Sequence, residues 1–117
     1  MIQGSSAALS ALSAYGLVLQ VGANNIANAS SQGYKRDRVI LHSAQPTGVD
    51  AHVIKDVSHG YFAPEQGGNG LHLTEMSNVD YGRELVDVIT AVRSYEANLQ
   101  TIDSEDELMQ SVLDIKK

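Results

Sequence analysis

Apolar residues recur at heptad spacing near both ends of the chain, over Leu9–Ile26 and Tyr81–Leu113, and lose that period in between. In the first segment Leu9, Leu12, Gly16, Leu19, Ala23 and Ile26 follow at intervals of three, four, three, four and three residues, the a/d seam of a coiled-coil helix. Ser5 or Ser6 offers a hydroxyl to cap the start. Small residues (Ala7, Ala8, Ser10, Ala11, Ser13, Ala14) surround the seam, so a second helix can approach closely. Gly16 costs about 1 kcal/mol against Ala inside a helix and asks for a packing reason. The pattern fails after Asn28, where Ser30-Ser31-Gln32-Gly33 reads as a turn with Gly33 suited to the left-handed conformation.

The second segment is longer. Leu85, Val92, Leu99 and Leu113 take one seam position, interrupted by Asp106, and Tyr81, Val88, Tyr95, Ile102 and Met109 take the other. Ser77 and Asp80 have the spacing of a capping box. No Gly or Pro occurs from Arg83 to Lys117, which predicts one continuous helix. At 1.5 Å per residue it would reach roughly 50 Å, against roughly 35 Å for the first. Antiparallel pairing within the chain would leave apolar seam uncovered, so the pattern predicts self-association or a partner helix.

Between the helices the period shortens. Val39-Ile40-Leu41 suggests a strand, and Val49 to Val57 partly alternates apolar with polar residues. Asn69-Gly70, between Tyr61-Phe62 and Leu71-Leu73, is a hairpin signal because both residue types accept positive φ. Pro46 and Pro64 fit loops or sheet edges. The predicted fold is mainly α with a small β insert. An N-terminal helical segment (1–33) and a long C-terminal helix (77–117) form an antiparallel coiled-coil-like pair, and a β-hairpin-containing middle (34–76) is inserted into this one discontinuous domain.

Composition narrows the function. The chain has 117 residues and no Cys, hence no disulfide or thiolate metal site. Its net charge is −6; before Glu75 four acids balance four bases, and from Glu75 onward ten acids face four bases. A helix so acidic is a poor partner for nucleic acid. No unbroken apolar run approaches the roughly 20 residues of a membrane span, and the N-terminus lacks the basic region of a cleaved secretory signal.

No catalytic constellation emerges. His42, His52, His59 and His72 lack zinc-motif spacing, leaving only a weak option of His52 and His59 meeting Asp50 or Asp56. Glu105-Asp106-Glu107 reads as a solvated helix face. Lys35, Arg36 and Arg38, interrupted by Asp37, read as a surface or intersubunit charge patch in preference to a phosphate site. Gly67-Gly68-Asn69-Gly70 lacks the Lys-Ser/Thr of a phosphate loop. Asn24, Asn25 and Asn28 crowd the end of the first helix although Asn is a weak helix former. They either cap the helix or place amides beside the seam to fix helix register.

Two stretches carry a resemblance. Ala23-Asn24-Asn25-Ile26-Ala27-Asn28-Ala29 with Gly33-Tyr34-Lys35 resembles the N-terminal signature of the bacterial flagellar axial proteins, the rod and hook group. Ser77-Asn78-Val79-Asp80, Leu85-Val86 and Ala91-Val92-Arg93-Ser94-Tyr95-Glu96-Ala97-Asn98 resemble the C-terminal signature of the same group. The two matched regions span about half the chain, in the right order. Gly48 to Val57 resembles the opening of the middle segment in proximal rod proteins. Ser30-Ser31-Gln32-Gly33 departs from the usual Asn-Thr-x-Gly or Thr-Pro-Gly, and Gly82-Arg83-Glu84 departs from the usual apolar-acidic pair.

The resemblance implies a structural subunit of the basal-body rod. It would be exported through the flagellar type III apparatus without a cleaved signal, and would assemble in the periplasm with itself and other rod and hook proteins into a torque-transmitting axle. It implies no enzymatic activity and no cofactor or metal. By the same analogy, assembly roles fall to Leu9, Leu12, Leu19, Asn24, Asn25, Ile26 and Asn28, and to Leu85, Val92, Tyr95, Asn98, Leu99 and Ile102. Two other classes stay open at this stage. One is a non-polymerising rod-like adaptor or cap binding a flagellar partner; the other is a metal hydrolase using the histidines.

Overall fold

A computed structural model describes residues 2–115. Two helices, α1 (Ile2–Ala27) and α2 (Tyr81–Ile115), enclose four strands in sequence order. The strands are β1 (Asp37–Ser43), β2 (Val49–Lys55), β3 (Phe62–Gly67) and β4 (Gly70–Glu75). They form two separate antiparallel hairpins, β1–β2 and β3–β4. The chain is therefore mainly helical with a β insert. Lys116 and Lys117, at the end of the expected C-terminal helix, lie outside the described residues.

The helices run antiparallel. Asn25 meets Glu84 near one end and Ser5 donates a hydrogen bond to Glu105 near the other. A compact chain of this length has a radius of gyration of about 13 Å; here it is 20.9 Å, with a longest dimension of 83 Å. A compact chain of 12.5 kDa exposes about 6,200 Å², against 8161 Å² here. The excess resembles the area that one standard protein interface removes from water, about 1,600 Å². Burial within this chain leaves much apolar surface in the open.

The expected Val88, Tyr95 and Ile102 row of α2 is half-buried, whereas the α1 seam and the Leu85 row of α2 are displaced from the buried stripe. On α1 the face turned inward carries Ala8, Ala11, Ala14, Gly22 and Asn25, while Leu9 is 57% exposed and Leu12, Leu19 and Ile26 are only half-buried. On α2 Glu84 and Ala91 are buried, whereas Leu85, Val92 and Leu99 are exposed. Close approach explains the shift. Small side chains let the helix backbones come together, and the leucines beside them are pushed to the flanks. Gly22 marks the tightest point, since a Cβ there would sit 2.6 Å from Val88 Cγ2. A Cβ on Gly16, which asked for a packing reason, would meet nothing within 4 Å outside its own helix.

The helix ends also differ from expectation. α1 starts at Ile2, so Ser5 and Ser6 lie inside it instead of capping it. α2 starts at Tyr81 and is capped by Asp80, whose Oδ1 accepts from the Arg83 amide at 3.1 Å. Ser77 lies in the preceding turn, with its Oγ accepting from the Val79 amide. Gly33 has φ 64°, as the turn required.

The strands expected around Val39–Leu41 and from Val49 pair as one hairpin, and a second hairpin forms around the Asn69-Gly70 signal. Loop Ala44–Gly48 contains a cis Gln45–Pro46 bond, and Pro64 lies in a two-stranded sheet with no central strand. In the second hairpin Gly67 pairs with Gly70, so Gly68 and Asn69 form the turn. Only Gly70 of the expected Asn69-Gly70 pair takes positive φ, at 111°. The β1–β2 hairpin leans on α1, fixed by Ser10 Oγ, which accepts from the Val49 amide at 3.0 Å. The β3–β4 hairpin packs on neither helix. By length and composition Gly4–Ala27, with mean hydropathy 1.4, is apolar enough to cross a membrane, contrary to the reading of its interrupted apolar runs. Core helices of water-soluble proteins pass the same test.

Candidate functional site

The best-buried polar groups meet where α1 ends, β1 begins and α2 starts. Asn25 is 1% exposed and uses its whole amide. Its Nδ2 donates to the Asp37 carbonyl at 2.7 Å and to Glu84 Oε2 at 3.2 Å. Its Oδ1 accepts from the Asp37 amide at 3.0 Å and the Tyr34 hydroxyl at 3.2 Å. Burial beside this cluster pushes the Tyr34 hydroxyl pKa up.

Arg36 extends the network. Its Nη1 donates to Glu84 Oε1 at 3.2 Å and its Nε to Asp56 Oδ2 at 3.1 Å. The Arg36 amide donates to Asn78 Oδ1 at 2.7 Å, and Asn78 Nδ2 donates to the Asp56 carbonyl at 2.9 Å. Hydrogen bonds from Ser58, with help from Arg36, hold the Asp56 carboxyl at about 2. No buried side-chain nitrogen or oxygen among the described residues lacks a partner. A fully satisfied network in a low-dielectric setting specifies one geometry, because any displacement leaves a desolvated group unpaired. The two helices, both ends of the β1–β2 hairpin and the approach to α2 are thereby locked at one junction.

A second, more exposed cluster fixes the base of the β3–β4 hairpin. Lys35 Nζ approaches Glu75 Oε1 at 2.6 Å, and the same oxygen accepts from the Gly60 amide at 2.9 Å. Lys35 first, then the Gly60 amide, hold the Glu75 carboxyl at about 2.

The residues singled out in the sequence separate into different environments. Asn25 is consumed by the junction, whereas Asn28 closes the helix end, its Nδ2 donating to the Asn24 carbonyl at 2.9 Å. Both readings of the Asn cluster thus occur, on different residues. Asn24 is exposed, Tyr95 and Ile102 lie half-buried, and Asn98 bonds back to the Ser94 carbonyl. The expected Lys35-Arg36-Arg38 surface patch is split: Arg36 is buried, Lys35 is paired with Glu75, and Arg38 alone stands exposed. His52 pairs with Asp50 in one hairpin, and His59 with Glu75 beside the other. Among the described residues no group of three metal-ligating side chains converges. The sequence reading missed Arg36, Asp56 and Glu84 as a buried network. The crowding of Asn residues at the end of α1 and the signature stretches holding Asn25 and Asn78 pointed toward this junction.

An elongated antiparallel helix pair, locked by a polar junction and flanked by open apolar surface, defines a structural module. Residues 72–115 match the family model described as flagellar basal body rod FlgEFG protein C-terminal. The chain is 35% identical to the flagellar basal-body rod protein FlgC of Yersinia enterocolitica, over 89% of each chain. It is 31% identical to FlgC of Agrobacterium fabrum, over 85% of this chain and 83% of that protein. It is also 27% identical to the flagellar hook protein FlgE of Salmonella typhimurium, over 98% of this chain and 38% of that protein. The chain belongs to the flagellar basal-body rod protein family. As such it is a structural protein of the flagellar basal body and not an enzyme.

Proposed function

We propose that the chain is a self-assembling rod subunit whose terminal helices pack with neighbouring copies, and with other flagellar axial proteins, into the periplasmic axle that transmits motor torque. The observation that carries this reading is the open apolar surface on both helices: Leu9 on α1, and Leu85, Val92 and Leu99 on α2. At about 25 cal/mol per Å² of apolar area, covering such flanks in a polymer is a large driving force. Leu12, Leu19, Asn24, Ile26 and Asn28 share that role on α1, and Tyr95, Asn98 and Ile102 on α2. Asn25 acts indirectly by holding the helix pair in register.

In this reading segments 1–33 and 77–117 form the coiled-coil-like inner layer and 34–76 the outer insert. The protein reaches the rod through the type III export apparatus, without a cleaved signal and without spanning a membrane. Stiffness follows from the buried junction, which couples the insert to the helices.

Light scattering of the purified chain over a concentration series tests assembly. Mass rising with concentration is expected, and Leu85→Asp with Leu99→Asp should lower it and abolish motility in a complemented strain. A fixed mass at all concentrations, with a partner still bound, would instead identify an adaptor or cap.

A further inference from the structure

The two ends of α2 carry unlike surfaces. α1 and α2 run side by side until Ser5 meets Glu105. Beyond that point, residues 106–115 of α2 are exposed on every side. Leu108, Met109, Val112 and Leu113 form one apolar stripe on this overhang, since residues one turn apart share a helix face. Asp106 borders the stripe, and Asp103, Glu107 and Asp114 occupy the opposite face.

Beside the start of α2 lies an open cleft of about 360 Å³ between α1, β1 and α2. Val18, Val39, Leu41 and Val88 give it an apolar lining, and Arg38 and Arg83 stand at its rim. Neither arginine forms an ion pair among the described residues, whereas the acids Asp37 and Glu84 in the lining are already paired with Lys55 and Arg36. Asp87 is the one lining acid without such a partner. From Glu84 to Asp106 the helix rises about 33 Å, so a chain cannot fold its own overhang into its own cleft.

We propose that the α2 overhang of one copy docks on the α1–β1–α2 cleft of the next, with its Met109 and Val112 side chains entering the cleft and Asp106 meeting Arg83 and Arg38. The proposal deepens the self-assembly reading and rests on it. Three observations favour a second copy as occupant: the apolar stripe bordered by Asp106, the apolar cleft with two arginines that form no ion pair among the described residues, and their location toward opposite ends of α2. Such a contact is heterologous. Each docked copy presents a fresh cleft or overhang, so the contact propagates into an open filament instead of closing into a dimer. The cleft has room for a few side chains and not for a whole helix, so the overhang lies across it with its stripe pointing in.

The chain has no Cys, so single cysteines can be placed without background. Thr90→Cys at the cleft and Met109→Cys on the overhang, in separate full-length chains mixed with a short bis-maleimide, should crosslink. Gln20→Cys, exposed on α1 away from the cleft, should not link to Met109→Cys. Arg83→Glu should weaken association roughly tenfold, and adding Asp106→Arg to the same chain should restore it. Both positions are exposed, so the fold is left intact. Association that persists with no preferred link between positions 90 and 109, or that ignores the charge reversal, overturns this docking mode and leaves the assembly reading standing. A chain that stays monomeric at every concentration overturns both. Crosslinking of Thr90→Cys only to a cysteine-bearing relative of this family, never to Met109→Cys, overturns the choice of occupant.

Discussion

Asn25 Nδ2 lies 3.2 Å from Glu84 Oε2, joining the last turn of α1 to the first turn of α2 across 59 residues of sequence. Both side chains are buried, and each has further partners on the β1 side of the junction. Polar contacts therefore mark both ends of the helix pair, the buried one at Asn25–Glu84 and the more exposed one at Ser5–Glu105, while small residues set their closeness between.

Replacing Asn25 with Leu removes four hydrogen bonds and strands the Asp37 amide and carbonyl together with a Glu84 oxygen. Each stranded buried group costs about 1–3 kcal/mol, so the variant should lose at least about 3 kcal/mol in urea unfolding. A loss below 1 kcal/mol, on the order of a surface substitution, would show that the junction does not hold the helices.

The Arg36–Glu84 pair should behave non-additively. Arg36→Met alone leaves the buried Glu84 carboxylate without its cation and should cost about 3–5 kcal/mol, whereas Glu84→Gln should cost less because Asp56 still pairs with Arg36. The double variant should cost clearly less than the two singles together, because no charged Glu84 is then left facing the missing guanidinium. Strict additivity in chemical unfolding would argue against a direct coupling.

Two glycines of α1 should respond oppositely. Gly22→Ala places a methyl 2.6 Å from Val88 Cγ2 and should destabilise by about 1–3 kcal/mol, with partial recovery on adding Val88→Ala. Gly16→Ala meets nothing within 4 Å and should stabilise the helix by about 0.5–1 kcal/mol. Thermal melts of the three variants read both effects.

Acid should destabilise the fold over a defined window. Asp56 and Glu75 are held at about 2, below their ordinary values of 3.8 and 4.5. Lowered carboxyl pKa values favour the folded state above the unfolded-state values, and that contribution disappears as pH falls through the folded ones. Stability should be level in these two groups above pH 4.5 and decline toward pH 2. Asp56→Asn and Glu75→Gln together should flatten that decline in a pH series of urea midpoints.

The hairpins were legible because their signals are local. Alternation over Val49–Lys55 and the glycines around Asn69 act within a few residues, whatever surrounds them. The helices were legible as helices, and the Val88, Tyr95 and Ile102 positions of α2 do turn inward, but the Leu9 row of α1 and the Leu85 row of α2 were placed one position off. Hydropathy ranks Leu9 and Leu85 above Ala8 and Glu84, yet the isolated chain buries the latter pair. Side-chain size and an ion pair between residues 48 apart in the same chain decide that outcome, and neither is visible in periodicity. Arg36 was taken for part of a surface patch because its partners, Asp56 and Glu84, lie 20 and 48 residues away.

By itself the sequence determined the two long helices, the β insert between them and the kinship with flagellar rod proteins, since each depends on residue order over short stretches. Only the tertiary structure decided which helix faces meet, where the polar junction closes and which apolar flanks stay open. Those outcomes depend on how closely two backbones can approach and on whether every buried polar atom finds a partner. Both are properties of the packed chain and not of any segment.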